Sequence, residues 1–276
     1  MIMKKMRIAG ILIMGLAAGS LSFGQTGSNE QLTVPLSSPG KPYSLKVHLV
    51  TGSIKVSGYD GKDVIINVSQ RKNDDEEQQA PENGMKRISA PKGYEVTAKE
   101  ADNNITVNTG NPSKAVDLEL KIPQDVKLKV GTVNDGDVVV ENVKGELEVN
   151  NVNDKIELTN ISGSVVANTV NGDVNVTFTA VDPKASMAFS TLNGDVKVTL
   201  PADTKANIKA KSDNGDVYSD FDIDVDKTPA KVDKTTEPGM YKIKKDDWIS
   251  GKINGGGPEM MLKNMQGDIY IKKAGK

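Results

Sequence analysis

The sequence predicts an all-β protein whose single chain coils into a parallel β-solenoid (β-helix-like), with rungs of about 18–22 residues. Three observations lead to this fold class. Turn residues recur at a fixed spacing, apolar and polar side chains alternate between the turns, and no Pro occurs from residue 124 to residue 182. An antiparallel β-sandwich or meander is the alternative, because Asn-Gly between apolar runs is also a strong hairpin signal.

The repeat has a spacing of nine residues. Its turn positions are Gly136, Gly145, Asp154, Gly163 and Gly172, and looser copies surround Gly52, Gly194, Gly215 and Gly267. Each turn leads into an apolar-polar-apolar triplet, such as Val174, Asn175 and Val176, with the period of a strand that buries one face. Nine residues hold one strand of about five and one corner of about four, so two units would complete a rung.

Residues 1–24 have the pattern of a secretory signal peptide. Lys4, Lys5 and Arg7 precede an uncharged apolar run at residues 8–18, and small residues follow it. Cleavage is predicted between Gly24 and Gln25. The apolar run is shorter than the roughly 20 residues that a spanning helix needs, and a short N-terminal membrane anchor is the alternative. The sequence therefore predicts an extracytoplasmic protein, located in the periplasm, on the outer surface or outside the cell.

The remaining chain is predicted to form a flexible leader, residues 25–42, and one β-strand-repeat domain, residues 43–276. Two segments interrupt the repeat, an acidic one at residues 70–82 and a Lys-rich one at residues 224–239, and both are predicted as surface loops. The end strands of a solenoid expose unpaired backbone groups. We therefore expect the leader and the region around Trp248 to cover the two ends.

Composition excludes several kinds of site. The chain has no Cys and one His, which excludes disulfides, thiolate metal sites and a Cys nucleophile, and argues against a multi-His centre. It has only three Arg, so a nucleic-acid-binding surface built on Arg is not expected. The sequence predicts no catalytic residues, no cofactor and no resident metal.

One row of carboxylates nevertheless suggests calcium. An Asp follows the turn Gly in several copies, and these residues would align along the solenoid: Asp137, Asp173, Asp195, Asp216 and Asp268. Nonapeptide solenoids bind Ca²⁺ at Gly- and Asp-rich turns. Here the matching positions of other copies hold Glu146, Lys155 and Ser164, so the ligand set is incomplete. Solvated or hydrogen-bonded corners are the favoured interpretation.

Other candidates have equally simple structural readings. His48 is predicted to share the outward face of its strand with Lys46, because the alternate residues are apolar. Trp248 is predicted to close the core, with a sugar-stacking role as the alternative. The stretch from Gly255 to Gly257 lacks the Lys-Ser/Thr of a phosphate loop and is predicted to let the backbone pass closely.

The pattern resembles a bacterial envelope family of unknown function with β-strand repeats, which is often labelled adhesin-like. The matching residues include the Asn-Gly-Asp-Val steps, the early stretch at residues 51–58, and the closing stretches at residues 253–258 and 265–271. The acidic segment that ends near residues 84–88 also matches. The likeness covers residues 43–273. It implies an exported β-helical protein and brings no catalytic residue with it.

Together, these features predict an exported, non-enzymatic binding or structural module of the cell envelope. An envelope-stress or signalling accessory scaffold is the alternative, and a glycan-active β-helix enzyme is less favoured because the chain has few aromatic and Arg side chains to hold a sugar. The expected partner is an envelope protein or a glycan, or a second copy of the chain.

Overall fold

A computed structural model describes residues 30–71, 93–110, 112, 114–226, 232–237, 240–245 and 248–275. The predicted signal peptide, its cleavage site at Gly24 and Gln25, and residues 72–82 of the predicted acidic loop lie outside these ranges. All regular elements of the described residues are β-strands. This part of the chain accordingly has no helix long and apolar enough to cross a membrane.

The strands are β1 (Glu30–Pro35), β2 (Tyr43–His48), β3 (Ile54–Tyr59), β4 (Asp63–Gln70), β5 (Val96–Ala101), β6 (Asn104–Thr109), β7 (Val116–Pro123), β8 (Val126–Gly131), β9 (Val138–Glu141), β10 (Lys144–Asn150), β11 (Ile156–Asn168), β12 (Val174–Val181), β13 (Met187–Ser190), β14 (Val196–Leu200), β15 (Ala206–Asn214), β16 (Val217–Ser219), β17 (Asp224–Val225), β18 (Val232–Glu237), β19 (Met240–Lys245), β20 (Ile249–Ile253), β21 (Glu259–Gln266) and β22 (Ile269–Lys273).

Two parallel ladders form the body of the protein. The first runs in the spatial order β6, β2, β8, β10, β11, β13, β21 and β15. The second runs in the order β7, β3, β9, β11, β12, β14, β22 and β16. Strand β11 belongs to both ladders because it bends at Asn160, whose φ is 56°. The predicted parallel β-solenoid is therefore confirmed, and the antiparallel alternative does not describe the body.

Each rung is one strand of the first ladder followed by one strand of the second. The turn residues Gly136, Asp154 and Gly172 lie at the corner that leads from the first ladder to the second. Gly145 and Gly163 pair with each other at the opposite corner. The nine-residue repeat is thus one strand with one corner, and two units complete a rung, as the sequence predicts.

The core lies between the two ladders and is built by alternation along each strand. In β12 the burial pattern alternates between buried and half-buried positions from Val174 to Phe178. Equivalent positions of successive second-ladder strands stack into one apolar column of fully buried side chains: Ile54, Val138, Ile156, Val174, Val196 and Ile269. β-Branched side chains suit this stacking because they pack well on a pleated surface.

The spatial order of the rungs differs from their order in the chain at both ends. The rung β2–β3 lies between β6–β7 and β8–β9. At the other end, the rung β21–β22 lies between β13–β14 and β15–β16. The first and last rungs of the chain are consequently hydrogen-bonded on both sides, and neither forms an end of the solenoid.

Antiparallel strands cover three of the four ladder ends, those at β6, β7 and β15. At one end, β4 pairs with β7 and β1 pairs with β4, while β5 pairs with β6. At the other end, β20 pairs with β15 and β17 pairs with β20. Strand β1 lies inside the segment predicted as a flexible leader. Its pairing with β4, from Glu30 opposite Val68 to Pro35 opposite Asp63, gives this polar segment a fixed place that its composition does not suggest.

The two predicted loops also differ in part from the structure. Of residues 70–82, Gln70 is the last residue of β4 and Arg71 follows it. Residues 224–239 contain β17 and β18, which pair with β20 and β19. Their Lys-rich composition indicated a loop, but pairing with strands that come later in the chain provides the backbone hydrogen bonds that local propensity does not predict.

Candidate functional site

In six of the eight described rungs, the corner between the two ladders is held by a polar side chain that is buried or half-buried. Each of these donates a hydrogen bond to a backbone carbonyl of the neighbouring rung. The bonds are Thr132 to Gly52 (2.9 Å), Asn151 to Gly136 (3.0 Å), Thr169 to Asp154 (3.0 Å), Thr191 to Gly172 (2.8 Å), Asn264 to Gly194 (3.2 Å) and Ser212 to Gly267 (2.9 Å). A buried carbonyl without a hydrogen-bond partner lowers the stability of the fold, so these side chains stabilise the corner by satisfying the carbonyls.

The accepting residues form a column of close backbone approaches. A Cβ on Gly194 would lie 2.3 Å from the carbonyl oxygen of Gly172, and one on Gly267 would lie 2.3 Å from that of Gly194. The recurring Gly of the sequence is therefore required where one rung passes against the next. Asp154 occupies one place in the column, and its carboxylate accepts a hydrogen bond from the N–H of Gly136 at 2.8 Å.

The Asp row predicted from the sequence lies beside this column. In spatial order it runs Asp137, Lys155, Asp173, Asp195, Asp268 and Asp216. The N–H of Asp195 donates to the Asp173 carboxylate, that of Asp268 donates to Asp195, and that of Asp216 donates to Asp268, each at 2.9 Å. The carboxylates thus serve as acceptors for the next rung. Among the described residues, no three or more acidic or His side chains are grouped as a metal site would need.

Lysines neutralise the middle of the row. Lys197 Nζ lies 2.9 Å from Asp195 Oδ2 and 3.5 Å from Asp173 Oδ2. Burial tends to raise the pKa of Asp195, but the hydrogen bond from Asp268 and the ion pair with Lys197 outweigh it and lower that pKa. The hydrogen bond between the Lys197 ammonium and the Asp195 carboxylate in turn raises the pKa of Lys197. Both shifts favour the charged forms of Asp195 and Lys197, whose ion pair stabilises the corner. The role of this pair is therefore structural.

A ladder of amides continues outside the row. Asn153 donates to Asn134 Oδ1 at 2.8 Å, Asn171 donates to Asn153 at 3.1 Å, and Asn193 donates to Asn171 at 2.7 Å. Each amide can donate to one neighbour and accept from the other, so a stack of Asn satisfies itself along the axis. The corner Asn residues are therefore engaged with one another.

At the end of the second ladder, two tyrosines stack on the outward face. Tyr218 of β16 lies opposite Tyr270 of β22, with ring centroids 5.3 Å apart and planes inclined by 17°. We call this region the tyrosine surface, and it comprises Tyr218, Tyr270, Lys197, Lys272, Asp216 and Asp268. The Nζ atoms of Lys197 and Lys272 lie 5.7 and 5.6 Å from the Tyr270 ring centroid. Such distances allow cation–π attraction.

The phenol groups of this surface are tied to the Asp row. Tyr270 donates to Asp268 Oδ2 at 3.0 Å, and Tyr218 donates to Asp216 Oδ2 at 3.3 Å. The bond to Asp268 raises the pKa of Tyr270, and the negative charge of Asp216 raises the pKa of Tyr218. Both phenols therefore stay neutral donors over the physiological range, and both rings are held in fixed orientations.

Tyr218 presents an open aromatic face. Its side chain is 49% exposed, and its strand, β16, pairs on one side only, with β22. One ring face is covered by Tyr270, whereas no described rung follows on the other side. Asp216, the last carboxylate of the row, accepts the hydrogen bond of the Tyr218 phenol at the rim of this ring. The arrangement of a fixed aromatic plane next to a carboxylate is suited to binding a polar ring-shaped ligand.

The other sequence candidates lie elsewhere. His48 is exposed on the outward face of β2, as its alternation predicts. Trp248 is half-buried, and Lys209 Nζ lies 4.8 Å from its ring centroid. At Gly257 a Cβ would lie 2.4 Å from the carbonyl oxygen of Lys205, whereas Gly255 faces open space.

A polar cluster holds the start of the acidic segment. Arg71 Nη2 lies 2.6 Å from Asp117 Oδ1, its Nε donates to Asp117 Oδ2 at 2.8 Å, and it also bonds Ser53 and the carbonyl of Asp135. Burial tends to raise the pKa of Asp117, but the hydrogen bonds from Arg71 and Ser53 lower it overall. The cluster joins three neighbouring rungs and has a structural role.

Sequence reasoning missed the buried polar residues and the tyrosine surface. The buried residues carry a weak signal, because a Thr, Asn or Ser stands three positions before Asp154, Gly172, Gly194, Gly215 and Gly267. Tyr218 and Tyr270 are 52 positions apart, and their rungs become neighbours only through the exchanged order at this end. No local pattern could predict that contact.

Comparison with known proteins gives a family and two distant structures. A family model described as Toastrack DUF4097 matches residues 24–272. The chain is similar to a candidate cell adhesion protein from Clostridium sporogenes, at 12% identity over 89% of this chain and 100% of that one, with a TM-score of 0.42. It is also similar to a candidate adhesin from Bacteroides fragilis, at 11% identity over 90% and 98% of the two chains, with a TM-score of 0.37. No curated protein matches the sequence.

Proposed function

The chain belongs to the Toastrack DUF4097 family, and from this premise we propose that it is an exported, non-enzymatic, adhesin-like binding module of the bacterial cell envelope. The family assignment confirms the resemblance found in the sequence. Export is supported by the pattern of residues 1–24. The binding role is supported by the tyrosine surface, and the ligand we propose is an envelope glycan.

The open face of Tyr218 is the observation that carries this proposal. A sugar ring has an apolar face of C–H groups and a rim of hydroxyls. The Tyr218 ring is held by its stack on Tyr270 and offers a plane to the C–H face of the sugar. The Asp216 carboxylate, which holds the Tyr218 phenol, can accept hydrogen bonds from the sugar hydroxyls. Little conformational entropy is lost on binding because the ring orientation is already fixed.

The chemistry of the Asp row supports a binding role over catalysis. Hydrolysis of a glycan by a carboxylic acid needs a group whose pKa is raised so that it can donate a proton. The pKa of Asp195 is instead lowered, and the carboxylates of Asp173, Asp195 and Asp268 already accept hydrogen bonds from neighbouring rungs. These groups are engaged in holding the corner.

Affinity at one sugar-sized site is expected to be modest, since a single exposed ring provides little buried area. A glycan with many identical units can engage several copies of the protein at once, and linked weak contacts raise the overall affinity by orders of magnitude. The proposed mode of action is therefore multivalent binding to a repeating polymer.

A glycan array with the chain from Gln25 onward, followed by titration calorimetry, tests the proposal. This chain includes every residue that the structure describes. We expect binding to at least one envelope glycan class and a loss of affinity of about tenfold in Tyr218→Ala, because stacking on one ring contributes on the order of 1 kcal/mol or more. Leu192→Ser, which removes another exposed apolar side chain, should bind like the wild type.

Two results would contradict the proposal. Absence of binding to every glycan class by the wild-type chain would refute the choice of ligand, as would equal affinity of Tyr218→Ala and the wild type. Reproducible capture of one inner-membrane regulatory protein by crosslinking in intact cells, together with an empty array, would favour the accessory scaffold instead.

A further inference from the structure

The hairpin formed by β18 and β19 is separate from the solenoid. Its strands pair antiparallel with each other, Val232 opposite Lys245 and Glu237 opposite Met240, and form a two-stranded sheet of their own. No described strand of the large sheet pairs with either of them. A two-stranded hairpin alone in water is marginally stable, so a surface that covers its exposed residues would stabilise it.

The hairpin exposes large apolar side chains on both of its faces. Tyr241 is 82% exposed and Ile243 is 72% exposed, which makes them the most exposed large hydrophobic residues of the described chain. They share one face of β19, because side chains two residues apart point the same way. Met240, which is 47% exposed, lies on the other face. Isolated exposed apolar residues are ordinary, but Tyr241 and Ile243 lie together on one face and form a patch that water disfavours.

The hairpin is also cationic within an acidic protein. Strand β19 contains Lys242, Lys244 and Lys245 and no acidic residue, and β18 contributes Lys234 against Asp233 and Glu237. The whole chain has 35 basic and 37 acidic residues, and loss of the predicted signal peptide would increase the acidic excess. Positive charge is therefore concentrated on the element that exposes the apolar side chains.

We infer that this hairpin docks on an anionic lipid surface. The inference rests on the hairpin alone and is independent of the glycan proposal. Strand β19 alternates apolar and Lys residues, so Tyr241 and Ile243 can enter a lipid interface on one face while Lys242, on the opposite face, stays at the headgroups. Tyr is suited to the headgroup region because its ring is apolar and its hydroxyl polar. The lysines match anionic headgroups, which attract basic segments near the membrane.

Co-sedimentation with vesicles tests this inference on the chain from Gln25 onward. The probes are vesicles of phosphatidylcholine alone and vesicles of equal parts phosphatidylcholine and phosphatidylglycerol. We expect binding to the anionic vesicles, weakened by salt. The double variant Tyr241→Ser/Ile243→Ser should lower the partition coefficient by about tenfold or more, because it removes most of the apolar area available for burial. Trp248, the only Trp, follows the hairpin closely, so its emission should shift to shorter wavelength when vesicles are added.

Matched variants separate the possible explanations. Leu192→Ser should bind the anionic vesicles like the wild type, since Leu192 is 42% exposed but lies outside the hairpin. Lys242→Glu should weaken binding to anionic vesicles while leaving the circular dichroism spectrum unchanged. Replacement of residues 232–245 by a short Gly-Ser linker provides a second test that does not depend on the folding of the altered hairpin, and it should abolish vesicle binding.

Three outcomes would overturn the inference. These are the absence of wild-type binding to anionic vesicles, equal binding to both kinds of vesicle, and unchanged binding after removal of the hairpin. Concentration-dependent dimerisation that the double variant abolishes, without any vesicle binding, would assign the patch to a second copy of the chain.

Discussion

Replacement of Gly194 by Ala probes the close approach at the corner between the ladders. Gly194 has a φ of 147°, which L-residues rarely adopt, and its Cβ would lie 2.3 Å from the carbonyl oxygen of Gly172. Ordinary contacts begin near 3.4 Å, so the two rungs must separate by about one ångström at this point. The hydrogen bonds from Gly172 N to Asn193 O at 2.8 Å and from Gly194 N to Gln266 O at 2.9 Å would be strained or broken.

These contributions give the expected magnitude. Backbone strain of this kind costs about 1–3 kcal/mol. Two weakened backbone hydrogen bonds add about 0.5–1.5 kcal/mol each. We therefore expect Gly194→Ala to lower the free energy of unfolding by about 2–6 kcal/mol, which is a large share of the about 5–15 kcal/mol typical of a folded domain.

Urea unfolding followed by circular dichroism measures this loss against two glycine controls. Gly255 has a φ of 85° but its Cβ would meet nothing within 4 Å, so Gly255→Ala should cost about 1–2 kcal/mol from strain alone. Gly93 has neither a positive φ nor a close neighbour, and Gly93→Ala should be neutral or slightly stabilising. If Gly194→Ala and Gly255→Ala lost the same stability, the close approach of the rungs would not be what requires Gly.

Three further substitutions test other parts of the fold. Thr191→Val keeps the shape of the side chain but removes the 2.8 Å hydrogen bond to the Gly172 carbonyl. It should lower the free energy of unfolding, measured by urea denaturation, by about 1–3 kcal/mol. An unchanged urea midpoint would show that this carbonyl finds another partner. Phe189→Ala removes a fully buried ring that packs edge-on against Phe178 at 6.3 Å, and should cost about 3–5 kcal/mol in the same assay, whereas a loss below about 1 kcal/mol would contradict the described core. The lowered pKa of Asp117 means that folding favours its ionised form, so this stabilisation is complete above the usual carboxyl pKa and is lost as the pH falls through the lowered value. The melting temperature of Asp117→Asn should accordingly depend less on pH in the acid range than that of the wild type, and parallel curves for the two proteins would refute this assignment.

Local pattern was sufficient to predict the strand, the corner and the rung. The alternation seen at Val174 and Val176 reports which side chains face the core, since successive side chains of a strand point to opposite sides. The spacing of Gly136, Gly145 and Asp154 reports the length of one strand with its corner. Both are properties of a few consecutive residues, so they can be read without knowledge of the partner strands.

The corner was predicted in outline but not in mechanism. The Asp row was foreseen, and its residues do align, yet the sequence could not tell whether Asp173 and Asp195 would face a metal or the N–H groups of the next rung. The buried donors such as Thr191 were overlooked because a single polar residue before a turn is common. Their role depends on a carbonyl that belongs to a different rung.

The order of the rungs was decided by the tertiary structure alone. Each rung presents nearly the same apolar face and the same corner to its neighbours, so the repeat does not specify which rung pairs with which. The insertion of β2–β3 between later rungs, and of β21–β22 before β15–β16, depends on the long segments that connect them and on the capping strands at each end. The tyrosine surface is a product of that exchange, and the exposure of Tyr241 depends on which strands pair with its hairpin. The sequence by itself thus determined the repeating unit, because that unit is local, whereas contacts between distant units became definite only when the chain closed on itself.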